Sequence, residues 1–168
     1  MARDKTLLVG VDGSDSSIRS VSYVAEMVGA RENFHIVLFH VLPSIPPELL
    51  EFGGAEDPGI EQTLDETLKK EQADWIENTK LAAEPIMENA KTILHQAGVF
   101  PSRITALFSS SIHRPDIVGE LIGTAHKQNC GTIVVGRESY SSFKEIFHHH
   151  VGEELAKKGQ GFAVWVIA

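Results

Sequence analysis

Five short apolar runs, separated by helical tracts and polar turns, constrain this chain more than any other feature. They are "TLLVGV" (6–11), "FHIVLFHV" (34–41), "RITALF" (103–108), "GTIVVG" (131–136) and "FAVWVIA" (162–168). Such runs, rich in β-branched and aromatic residues, suit strands covered on both faces. After Ser14, the residues Ile18, Val21, Ala25 and Val28 recur at helical spacing, and Ile117, Val118, Leu121, Ile122 and Ala125 do so after Asp116. Ser14 and Asp116 are natural N-caps, and Asp15 is favourable in a first turn. A longer helical tract runs over 60–96 and stops at Gly98; Pro85 inside it either kinks one helix or divides two. Strand alternating with helix predicts a five-stranded parallel α/β sheet with helices on both faces, a Rossmann-like open sandwich, because right-handed crossovers return each strand parallel to the last.

A length of 168 residues fits one domain over 1–168. The stretch "LPSIPPELLEFGGAEDPG" (42–59) carries four prolines and three glycines, which predicts a long surface loop. Hydrophobic residues make up 42% and charged residues 23%, the composition of a chain that folds. Asp and Glu outnumber Lys and Arg by 23 to 15, a net charge of -8 with no basic cluster, which argues against nucleic acid and anionic membranes as partners. No apolar run approaches the roughly 20 residues of a membrane span. The start "MARDKTLLVGVDG" does not read as a signal peptide, so a cytoplasmic location is expected. The lone Cys130 has no partner for an internal disulfide and no neighbouring cation, so it reads as a small, half-buried side chain.

Ligands of such sheets bind outside the carboxyl ends of the strands. Three polar turns leave that edge: "DGSDSS", "SSSIHRP" and "RESYSS". Turns of this kind leave amides free at a helix start and so favour an anion such as phosphate, although their serines equally serve as caps.

"LLVGVDGSDSS", "FHVLP", "IVVG" and the short terminal strand together resemble the universal stress protein family, in an order that covers nearly the whole chain. The resemblance implies a five-stranded parallel sheet of the adenine-nucleotide alpha-hydrolase type and a homodimer formed through the C-terminal strand. It also implies an adenosine framed by an aspartate after the first strand and a hydrophobic residue at the end of the second. A G-x2-G-x9-G-[ST] loop after the fourth strand would hold the phosphates. Asp12, Val41 and Gly136 match that pattern. Ser139 stands at the second glycine, and His149 with His150 at the closing Gly-Ser/Thr pair. Glycines there allow backbone amides to approach phosphate oxygens, an approach that a β-carbon or an imidazole obstructs. The expected ligand-contacting residues are therefore Asp12, Val41, Gly136, Ser139, His149 and His150, around a degenerate phosphate loop. Loss of the ordinary triphosphate grip is expected, while AMP, or ATP held by its adenosine end, remains compatible with the pattern.

Consecutive helical positions point about 100° apart, so His148, His149 and His150 do not converge on one ion. Pairs one turn apart, Glu145 with His149 or His150 with Glu154, offer two ligands, too few for a tight zinc site, and no metal is expected. His113, Arg114 and Asp116 stand near the edge, yet no nucleophile accompanies them at a motif spacing, and there is no G-x-S-x-G elbow or P-loop lysine. The chain reads as a non-catalytic, stress-response binding or regulatory module. The alternatives are an adenine-nucleotide sensor with slow hydrolysis and a carrier or interaction protein for some other ligand. "FAVWVIA" ends the chain with no helix to cover its edge, which favours pairing with a second copy.

Overall fold

A computed structural model describes residues 5–50, 56–110, 116–140 and 150–168. Five parallel strands, β1 (Thr6–Gly10), β2 (His35–His40), β3 (Ile104–Phe108), β4 (Thr132–Gly136) and β5 (Ala163–Ile167), form one sheet in the order β3-β2-β1-β4-β5. Among the described residues four α-helices connect them: α1 (Asp15–Val28), α2 (Pro58–Gln96), α3 (Ile117–Lys127) and α4 (Val151–Lys158). The predicted α/β class, strand count and helix placement all hold.

Alternating side chains divide the core into two layers. Leu7, Val9, Ile36, Leu38 and Val134 pack on the side of α1 and α2. Leu8, Val37, Phe39, Ile133 and Val135 pack on the side of α3 and α4. Both faces of the central strands are thus apolar, which is why these runs lack the polar alternation of a one-sided sheet.

Local signals set the helix ends as expected. The Ser14 hydroxyl accepts from the Ser17 amide (3.2 Å), and Asp116 Oδ1 accepts from the Gly119 amide (3.1 Å). Gly98 follows α2 at φ +93°, a conformation in which a side chain is strained.

Two expectations are refined. The tract over 60–96 is one helix of 39 residues that contains Pro85. Proline removes the hydrogen bond to the carbonyl four residues back, that of Leu81. Leu81 is 52% exposed and Pro85 is also exposed, so water can satisfy that carbonyl and the helix continues. The 42–59 stretch is also more than a surface loop. Leu42 and Ile45 are buried, Pro47–Leu49 form a turn of 3-10 helix, and the Leu49 carbonyl accepts from Gln72 Nε2 (2.6 Å). Residues 51–55 of that stretch lie outside the described residues.

Cys130 is buried, more fully than expected, and burial pushes its thiol up to about 11. No described helix is long and apolar enough to cross a membrane.

Candidate functional site

Asp12 stands just beyond β1 and ties together the two turns that leave β1 and β4. Its Oδ1 accepts from the Ser14 amide (3.0 Å) and the Ser14 hydroxyl (2.5 Å), and its Oδ2 accepts from the Tyr140 amide (2.5 Å). The carboxylate predicted as a ligand contact is therefore at the carboxyl edge and already engaged by the protein.

The start of the predicted phosphate loop is closed in the same manner. The Arg137 amide donates to the Ile167 carbonyl (2.7 Å), the Glu138 amide to the Ser16 hydroxyl (3.1 Å) and the Ser139 amide to the Gly136 carbonyl (3.2 Å). With the Tyr140 amide on Asp12, all four amides from Arg137 to Tyr140 serve internal acceptors. A phosphate cradle works by aiming free amides at the anion, and here acceptors of the protein itself, most of them on other elements, already take these amides. Gly136 is held tightly here: a β-carbon would lie 2.6 Å from both the Ser139 hydroxyl and the Ser16 carbonyl. Ser139 is 4% exposed, and among the described residues its hydroxyl has no hydrogen-bond partner. Glu138 lies 3.9 Å from Arg19 in an open ion pair, which contributes little in water.

Val41 follows β2 and is wholly buried, in the core layer of α3 and α4. The residue before it, His40, lies beside the same edge. Its Nδ1 is 2.7 Å from the Val11 carbonyl, and because a carbonyl only accepts, Nδ1 carries the proton. Burial lowers the His40 pKa, opposed by the Val11 hydrogen bond and the Asp12 charge. Its ring meets Phe108 edge to face, 5.9 Å between centroids.

Tyr140 is the residue the sequence did not single out. Its side chain is 1% exposed, its φ is 67°, and its phenol oxygen would lie 2.7 Å from a β-carbon at Gly10. Burial first, and then the Asp12 charge, raises its pKa well above the ordinary tyrosine range. No local pattern marks this contact, since Gly10 and Tyr140 meet only through the fold. Ser16 was visible as part of "DGSDSS", but its bond to a turn beyond β4 was not.

His149 lies outside the described residues, as do His113, Arg114, Glu145 and His148. His150 is the cap residue of α4, and its Nδ1 is 3.8 Å from Glu153 Oε1, with both side chains largely exposed. Glu154, the residue one turn on that a two-ligand metal site with His150 would need, pairs instead with Lys158 at 3.3 Å.

The model of the universal stress protein family matches residues 4–161. The chain belongs to the universal stress protein family. Three solved structures show how this universal stress protein compares. One is a universal stress protein from Archaeoglobus fulgidus in complex with dAMP, with a TM-score of 0.60, 16% identity and 100% of both chains covered. Another is a family member from Burkholderia pseudomallei, with a TM-score of 0.62 and 17% identity over 99% of this chain and 98% of that one. The third is a universal stress protein in complex with cAMP, with a TM-score of 0.58 and 17% identity over 98% of this chain and 96% of that one. At these identities the likeness is one of fold. No curated protein sequence matches this universal stress protein.

Proposed function

We propose that this universal stress protein is a non-catalytic binding module of the stress response that takes adenine nucleotides by the adenosine end, with a degenerate phosphate loop. The observation that carries the reading is the internal use of all four amides from Arg137 to Tyr140. To gain these amides a triphosphate must compete with the internal acceptor that each one already has, and Glu138 adds like charge beside it. Relatives in complex with dAMP and with cAMP support a site for adenine nucleotides that carry a single phosphate.

The polar groups at the edge also fit a binding role. The Ser14 hydroxyl donates to Asp12, the Ser16 hydroxyl accepts from Glu138, and the His40 ring is fixed on Val11. The Ser14 hydroxyl that Asp12 holds also caps α1 through the Ser17 amide, a structural use of both groups.

The same reading includes a homodimer through β5. That strand lies at the end of the sheet, and its Val166 is 44% exposed. An apolar edge of this kind favours strand addition.

Calorimetric titration of ATP, ADP and AMP tests the reading. AMP and ATP should bind within about threefold of one another, because phosphates beyond the first gain no amides. Asp12→Ala, checked for folding by its thermal melt, should remove the heat. ATP binding about a hundredfold tighter than AMP, or release of ADP during long incubation, contradicts it.

A second reading, a carrier for some other ligand, draws on an apolar cleft of about 230 Å³ between α1 and α2, lined by Val11, Ile18, Val21, Ile86, Ala90 and Ile93. Nucleotide heats absent throughout the titration favour that role.

A further inference from the structure

The sheet runs outward from β1 through β2 to β3 and then crosses to β4 and β5, so its topological switch lies between β1 and β4. In open α/β sheets the crevice at that switch is where ligands enter. Here it already has an occupant. The Tyr140 ring is buried in the layer of α3 and α4, and its phenol oxygen reaches the bare α-carbon of Gly10 on β1, where Val135 of β4 and Leu121 of α3 also converge. The backbone of the same residue takes one oxygen of Asp12, the carboxylate at the mouth of the crevice.

From this double engagement we infer that Tyr140 is a built-in competitor for the site, and that the ligand must present a flat ring in place of the phenol and an N–H or O–H donor in place of the Tyr140 amide. A nucleoside meets both requirements with its base and its ribose hydroxyls, and its phosphates are not needed for either. The inference rests on the adenine-nucleotide reading above and gives it a mechanism of regulation. Apparent affinity is lowered by the fraction of molecules in which Tyr140 is home, and anything that withdraws the ring raises it. Gly10 is part of the device, since a β-carbon there would meet the phenol oxygen at 2.7 Å. Tyr140 itself holds φ at 67°, a left-handed conformation costly for an aromatic residue, so the closed state needs its contacts to hold it.

The chain has two tyrosines, which makes the test direct. Tyr23 is 41% exposed and Tyr140 is 1% exposed, so tetranitromethane should nitrate Tyr23 alone in the free protein. With saturating adenosine, peptide mapping should find Tyr140 nitrated as well. Adenosine that gives binding heat while Tyr140 stays protected overturns the inference and leaves the nucleotide reading intact.

Variants provide the second arm. Tyr140→Ala should bind adenosine at least about tenfold more tightly than the natural protein, and Tyr140→Phe, which keeps the ring, should match the natural protein. If the alanine variant does not fold, Tyr140→Leu keeps an apolar filling and takes its place. Equal adenosine affinity in the natural protein and the folded variant overturns the inference. Absence of heat from both overturns the nucleotide reading together with it.

Discussion

Single residues at the carboxyl edge decide what it can hold, and two of them, together with Cys130 at the amino edge, give measurable consequences. Gly136 has no room for a side chain, because a β-carbon would press on the Ser16 carbonyl as well as on the Ser139 hydroxyl. Gly136→Ala should lower stability by about 1–3 kcal/mol, the usual range for overpacking, read from the midpoint of urea unfolding. His40 links stability to pH. Its pKa is lowered in the folded state from the ordinary 6.5, chiefly by burial, so the unfolded chain takes up the proton first as pH falls. The stability contributed by neutral His40 is present above the unfolded value of 6.5 and is lost as pH falls from there through the lower folded value. The stability advantage over His40→Gln should therefore shrink between about pH 7.5 and about pH 5, as followed by urea midpoints, and a constant difference contradicts this assignment. Cys130, buried and with a thiol pushed up to about 11, should react with a disulfide reagent at pH 8 far more slowly in the folded protein than in the urea-unfolded chain.

At the scale of elements, what was legible in the sequence was local, and what was not depends on the fold. Strand runs, the Ser14 and Asp116 caps and the stop at Gly98 rest on neighbours in the chain, and the structure places each where the pattern put it. The degenerate phosphate loop was legible as substitutions at pattern glycines. How its first turn closes was not, because the acceptors are Ser16, Asp12 and Ile167, on other elements. Pro85 likewise left one or two helices open, since the outcome depends on whether the Leu81 carbonyl faces water. That resolution carries its own prediction. Pro85→Ala restores an amide to the middle of α2 and should raise stability by about 1–3 kcal/mol, somewhat less than the full helix-interior penalty because the unfolded chain also gains freedom. A loss of stability in urea unfolding would mean that Pro85 packs on the cleft it lines beside Ile86 and Asn89 in a way that alanine cannot match.

For the whole molecule, two surfaces organise the account. At the far end of the sheet, β5 carries an edge without a partner strand among the described residues, while Trp165 packs inward against Tyr23, 6.1 Å between ring centroids. If that edge joins two copies, the natural protein should elute as a dimer by light scattering and Val166→Asp as a folded monomer. A monomer in both, at working concentration, removes β5 as the interface. Along the carboxyl edge, the turns after β1 and β4 bond to one another, so the ground that other phosphate-binding turns leave open is occupied by the protein's own donors and acceptors. Phosphorus NMR of ATP in the presence of the protein addresses this claim most directly. The account predicts that the adenine protons shift and broaden on binding while the β and γ phosphorus signals stay at their free positions. Movement of those two signals, accompanied by a shift of the Glu138 amide, would contradict it.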